Sequence, residues 1–321
     1  MTLQQQIRAN RLRSAVVVAG FFVVIAVLVA AVSVLFDVTF GGFALVGALL
    51  YAAFALVNSR RIVGRMTGVG SDLSDDAMRQ VRRLVENVSI AAGLPTTPEV
   101  RIVRDDAPNA FATGLRPETS FVGVTTGLLK IMPKRELEAV LAHELAHVRN
   151  RDTYLMTMAA IFAGVIAFVA DIAFRSMLWG GGGGRSRSNP FVVVLAVAGL
   201  LLAPFAATLM KLALSRRREF LADATAAEIL NDPEAMALAL QRLEADTTTV
   251  RYAATSVAHL WIESPADRVE SSGHTVSGLQ RMFNTHPPLL DRILALEHAG
   301  GFRLPADLPR DRPYVTLVPA P

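Results

Sequence analysis

Apolar residues fall along this chain in two patterns: long runs almost free of charge, and short segments with helical or strand spacing between polar neighbours. Four runs, Ser14 to Phe36, Val38 to Asn58, Thr153 to Ala170 and Asn189 to Met210, are long enough to be read as membrane spans, for which a hydrocarbon core of about 30 Å needs about 20 residues. The first is too long and too apolar for a cleaved leader, and a second follows at once, so both read as anchors in a hairpin that turns at Asp37. Arg8, Arg11 and Arg13 precede this hairpin and Arg60, Arg61 and Arg65 follow it, which puts both outer ends on the cytoplasmic side. Arg149 and Arg151 before the second pair, with Lys211, Arg216, Arg217 and Arg218 after it, repeat the arrangement. Arg185 and Arg187 in the loop between those spans run against the rule, beside a linker-like Gly180 to Gly184 run. Asp171 and Arg175 read as a snorkelling boundary pair, because an ion path would require more polar residues at mid-membrane.

Between the hairpins, Ser71 to Ala92 has a helical stripe of Met78, Val81, Leu84 and Val88, preceded by Ser71, Ser74, Asp75 and Asp76 as start signals and ended by Gly93 and Pro95. Glu99 to Val103 and Phe121 to Thr125 read as strands, and Asn109 to Gly114 as an irregular or edge segment. Pro133 opens a helix with Glu136 and Glu138 in its first turn and an apolar stripe of Leu137, Leu141, Leu145 and Val148. Asp232, Pro233 and Glu234 begin another, to about Leu243. Residues 244–278 carry only weak pattern and could cover a substrate, and the Pro-rich stretch from Leu304 predicts a disordered or loosely docked tail.

Composition narrows the function. Of 321 residues, 52% are hydrophobic and 19% charged, with a mean hydropathy of +0.39, which argues against a disordered chain, a coiled coil or a wholly soluble enzyme. Cysteine is absent, so disulfides, thiol nucleophiles, iron–sulfur clusters and Cys-based zinc sites are excluded. The net charge of +4 is carried mostly by arginines that flank apolar runs, a membrane-edge pattern and not a nucleic-acid one.

The candidate chemistry stands on the helix after Pro133, in His143-Glu144-Leu145-Ala146-His147. Residues four apart on a helix differ by only about 40° in direction, so both imidazoles can converge on one cation, while Glu144, about 100° from His143, can face a water beside it. Two imidazoles and one carboxylate suit zinc with a position left open, and Glu144 then suits the general base. The best candidate for the third ligand is Glu219, with Asp223 one turn later able to hydrogen-bond an imidazole. Spacing alone leaves open whether Glu219 instead pairs with the adjacent arginines. Asp152, one turn beyond the helix, reads as a structural contact in preference to a group supporting the metal ligands. His286, before Pro287 and Pro288, reads from sequence alone as a turn residue. His259, His274 and His298 fit no motif.

His143 to His147 followed by Arg149-Asn150-Arg151-Asp152, the Ser215 to Asp223 run, the Pro108 to Gly114 segment, and Thr285-His286-Pro287 with Arg292-Ile293 together resemble the M48 peptidases. One hairpin before the catalytic helix and one between it and the third-ligand helix resemble the HtpX heat-shock protease branch. The likeness runs from the first anchor to about residue 297. It implies one zinc per chain held by His143, His147 and Glu219, with Glu144 catalytic. It also implies an edge strand (Asn109, Ala110, Phe111, Ala112, Thr113) that pairs with extended substrate, an oxyanion role for His286, and supporting roles for Arg292 and Asp223.

The fold expected is α+β and mostly helical: an integral membrane protein with four transmembrane helices and a cytoplasmic zincin-type domain with a small β-sheet. Its parts would be residues 1–66 as the first hairpin, 67–152 and 213–300 as the two parts of the zincin domain, 153–212 as the second hairpin, and 301–321 as the tail. The expected function is a zinc endopeptidase of the cell membrane, with both termini and the active site cytoplasmic. It would cleave misfolded or damaged membrane proteins and other unfolded chains, with the lipid bilayer as its other partner and no nucleic acid. A processing protease of the same clan would use the same chemistry, though its site is enclosed by more membrane helices than four. A non-catalytic zinc scaffold would tolerate Glu144 without using it. A transporter would show internal repeats and polar spans, and neither is present.

Overall fold

The computed structural model describes residues 57–67, 69–70, 74–158, 161, 216–246, 248, 261–262, 287–309 and 311–315, with isolated helical positions at 19, 39, 42, 46, 50, 53 and 54. Most of each expected span, Asp171, Arg175, the glycine run, His259, His274, Thr285 and His286 lie outside the described residues. Among the described residues, no helix is long and apolar enough to cross a membrane.

Helix α1 (Ser59–Met66) leads into β1 (Val69–Gly70), and α2 (Asp75–Ala91) follows. Ser74 is the residue that caps α2, its Oγ accepting the backbone N–H of Ala77 at 3.3 Å, so the helix begins later than the serine at 71 suggested. Strands β2 (Glu99–Val103), β3 (Ala110–Thr113) and β4 (Phe121–Thr125) complete a sheet of order β1-β2-β4-β3. β2 runs parallel to β4, with Val100 opposite Val122, and β3 runs antiparallel to it, with Ala112 opposite Val122. β2 and β4 match the sequence reading residue for residue. Gly123 of β4 is required by packing: a Cβ there would meet the Phe111 ring at 2.1 Å.

The short helix α3 (Thr126–Ile131) had no periodic signal and forms because the Thr125 hydroxyl accepts the N–H of Leu128 at 3.1 Å. α4 (Lys134–Arg149) follows Pro133, and every residue from Ala139 to Val148 is buried. Its predicted stripe of Leu137, Leu141, Leu145 and Val148 lies in one core with Val81, Leu84 and Val88 of α2. The polar residues on its other face are buried as well, which places the chemistry inside the protein. α5 (Arg216–Leu230) and α6 (Pro233–Ala245) pack against α4, and α7 (Leu289–Gly300) packs on α5 and α6. The result is mostly helical with a small sheet, as expected.

Of the two readings of the tail, the described residues show the docked one: 304–309 and 311–315 fold back on the helices. Leu304 N–H donates to Glu297 at 2.7 Å, Tyr314 N–H to the Met132 carbonyl at 3.1 Å, and Val315 is buried. Proline-rich chain lacks donors but keeps its carbonyls, and those of Pro305 and Pro309 accept from Gln241 and Arg242. Composition registers the missing donors and misses these acceptors.

Candidate active site

Helical spacing brings His143 and His147 to ring centroids 4.8 Å apart, in nearly perpendicular planes. The first turn of α5 lies against them. Glu219 places Oε2 3.7 Å from His143 Nε2 and Oε1 3.7 Å from His147 Nε2, and one donor atom from each of the three residues lies within 4.8 Å of the others. Two ligands about 2.0–2.1 Å from a tetrahedral zinc stand about 3.4 Å apart, so this spacing can close on such an ion with small rotations.

Charge makes the same case. Glu144, Glu219, Asp152 and Asp223 are buried around the imidazoles together with Arg218 and Arg292. With neutral imidazoles and ionised carboxylates, four negative charges face two positive ones, and a divalent cation balances the difference. The same field acts on His143. Burial opposes its charged form, but Asp223 and Glu219 push the imidazole up to about 9, so a proton is favoured where a cation fits.

Glu144 lies on the sheet side of the pair, where its carboxylate accepts a backbone hydrogen bond from Ala112 of β3. Burial pushes this carboxyl above the usual range and Glu219 adds to the rise, while the two imidazoles and the Ala112 bond oppose it. A carboxyl raised in this way is matched to proton transfer.

Residues 76–299 match peptidase family M48. The chain belongs to peptidase family M48. It is 36% identical over 300 residues to the protease HtpX homolog of Streptococcus gordonii, covering 91% of this chain and 98% of that one. To the homolog of Caldanaerobacter subterraneus subsp. tengcongensis it is 40% identical over 255 residues, covering 78% and 81% of the two chains. The homolog of Listeria monocytogenes serotype 4a is 34% identical, with 92% and 99% covered. Likeness to a solved structure, that of S. mikatae Ste24p, is weaker. It has 17% identity and a TM-score of 0.46, and covers 91% of this chain and 66% of that one, below the level at which a shared fold can be argued.

In this M48 metalloprotease, Asp223 takes up the position its spacing allowed, with Oδ1 2.9 Å from His143 Nδ1. Arg292 of α7, fully buried, clamps the same carboxylate through Nε at 2.8 Å and Nη2 at 2.6 Å. Burial alone would push Asp223 up, yet Arg292 and the His143 contact hold it below the usual carboxylate range. Arg292 also lies 3.6 Å from Glu219. It is therefore buried in the ligand cluster, whereas the position of its expected partner His286 lies outside the described residues.

Sequence reading missed three contacts of the M48 site. Asp152 is not merely a helix-end contact: its Oδ2 lies 3.1 Å from His147 Nδ1, and Arg218 approaches its other oxygen at 3.8 Å. Glu219 thus meets Arg292, far away in sequence, while its neighbour Arg218 turns to Asp152. The third contact falls on β3. This strand ends the sheet, as the resemblance implied, but on its outer side Trp261 stands opposite Phe111 and Ile262 N–H donates to the Ala110 carbonyl at 2.9 Å. The rings of Phe111 and Trp261 meet at 4.7 Å, and the Ile262 carbonyl accepts from Arg292 at 3.1 Å. The adjacent apolar residues Trp261 and Ile262 were the available signal, too short to read within residues 244–278.

Proposed function

We propose that this M48 metalloprotease is a multi-pass membrane zinc endopeptidase in which His143, His147 and Glu219 hold one zinc ion and Glu144 is the catalytic base. The observation that carries this reading is the buried His143, His147 and Glu219 donor set beside Glu144, in a cluster where four carboxylates, Glu144 included, meet two guanidiniums. Zinc, when bound there, supplies the Lewis acidity that makes water nucleophilic near neutral pH and polarises a peptide carbonyl. Glu144 takes the proton of the attacking water and delivers it to the leaving amine. Asp223 accepts a hydrogen bond from the Nδ1–H of His143, which leaves the Nε2 lone pair, on the Glu219 side, for the metal. Arg292 fixes Asp223 from behind. His286, by resemblance, faces the oxyanion. The outward carbonyl of Ala112, beyond the Ala110 position taken by Ile262, aligns extended substrate through main-chain bonds, which demand no particular side chains.

Membrane embedding is supported by the four apolar runs with arginine collars. Val46, Leu50, Phe54 and Val57 add an exposed apolar stripe at helical spacing, between 54% and 84% accessible, of the kind a helix presents to lipid. The collars support a topology with both termini and the active site on the cytoplasmic side. The proposed substrates are misfolded or damaged membrane proteins, a role in keeping with relatives named protease HtpX homolog. The test is purification in detergent with chelator, then zinc addition while cleavage of casein and of an unfolded membrane protein is followed. One zinc per chain and zinc-dependent cleavage are expected. Equal cleavage by Glu144→Gln and the parent would overturn the mechanism.

A further inference from the structure

A residue five positions beyond His147 on an unbroken helix would point about 140° away from it. Asp152 is that residue, and yet its carboxylate reaches His147 Nδ1 at 3.1 Å from a fully buried position. The chain makes the return possible at a single residue. Asn150 ends α4, and Arg151 adopts φ +62°, a left-handed conformation that a side chain disfavours and that helix ends normally leave to glycine. Helical structure resumes at 152–158. Strain of this kind persists where the surroundings demand it, and here it carries a carboxylate back onto a ligand candidate.

The arrangement repeats, more loosely, what is built around His143. There an Asp meets Nδ1 of the imidazole and an Arg holds the Asp at 2.6 and 2.8 Å. Around His147 the Asp is Asp152 and the Arg is Arg218, 3.8 Å from Oδ1 and next in sequence to Glu219. α5 therefore brings both a candidate ligand and the cation that balances the second carboxylate. As the first residue of the segment 152–158, Asp152 would also suit a helix N-terminus. Both of its oxygens nevertheless face the site.

We propose that Asp152 is a positioning residue for His147: it accepts a hydrogen bond from the Nδ1–H, which leaves the Nε2 lone pair aimed at the space shared with Glu219. The proposal rests on the zinc reading above. Its test uses the full chain in detergent, with zinc affinity measured by chelator competition, the visible spectrum of the cobalt-substituted protein, and melting of the metal-free protein. Asp152→Ala is expected to bind zinc about 10–100-fold more weakly and to shift the cobalt bands. Asp152→Asn keeps an acceptor oxygen and should recover much of that loss. A role confined to the helix terminus would instead lower the melting temperature of the metal-free chain and leave zinc affinity unchanged. Zinc affinity in Asp152→Ala within about twofold of the parent overturns the proposal, as does a loss explained wholly by a less stable metal-free chain. If Asp152→Ala does not fold, Asp152→Leu, close to aspartate in size and without an acceptor oxygen, carries the test, and an unchanged affinity and cobalt spectrum in it overturn the proposal. A parent that binds no zinc sinks the zinc reading itself, a result distinct from a zinc-binding parent with an indifferent Asp152.

Discussion

The two ends of α4 both bury charge, and they balance it differently. At its start Glu136 is buried against a single partner, Arg242 of α6, at 2.8 Å through its second contact, while Arg135 on the surface grips Asp232 and Glu234 at 2.6 and 2.7 Å. Toward its end the carboxylates exceed the guanidiniums by two. A buried pair with matched charge needs nothing further and joins two helices. A buried cluster with surplus charge needs a counterion, and evolution keeps such an expensive arrangement where the ion does chemistry. Within one helix, charge balance separates the structural end from the functional one.

That contrast can be broken most severely at the surplus end. Chelation should abolish peptide cleavage and zinc should restore it, while Glu219→Gln, which removes one negative charge, should retain far less zinc on equilibrium dialysis. A Glu219→Gln chain that keeps stoichiometric zinc would mean that the surplus is not there for the cation. Next, Glu144→Gln should lower the cleavage rate by about 10²–10⁴-fold with zinc content intact, as expected when a base is lost and the ligands stay.

At the balanced end the effects should fall on stability. Arg242→Met strands the buried Glu136 carboxylate and should cost about 3 kcal/mol in denaturant unfolding, with zinc stoichiometry unchanged. Arg135→Gln should cost only about 0.5–1 kcal/mol at pH 7, since its pairs are solvent-exposed. Its pH dependence has a defined sign. Hydrogen bonding to Arg135 holds Asp232 below the usual carboxylate range, so the stabilisation is complete above the unfolded value of about 3.9 and is lost as pH falls through the lower folded value. The difference between Arg135→Gln and parent should therefore shrink in acid. A difference that grows in acid would break the assignment.

Much of the fold was legible in sequence because its signals are local. β2 and β4 follow from short β-branched runs, α4 from Pro133 and a leucine stripe, and the convergence of His143 and His147 from a four-residue spacing. Glu219 and Asp223 were legible as one face of a helix, though not as partners of particular atoms. The strap at Trp261–Ile262, the role of Asp152 and the partners on which the tail docks were not legible. Two residues are too few for a strand period, a left-handed residue interrupts the helical count, and backbone carbonyls leave no mark on a hydropathy pattern.

The sequence by itself determined which chemistry was available. With no cysteine, two histidines one turn apart and a glutamate between them, it left a His, His, carboxylate metal site as the coherent use of its residues. The tertiary structure decided which groups surround that site and how their charges sum. Asp223 and Arg292 stand 69 residues apart and meet only because α7 packs on α5, and Arg292 reaches Glu219 by the same packing. Periodicity is a property of neighbours along the chain, whereas the electrostatic balance of a buried site is a property of every helix packed around it.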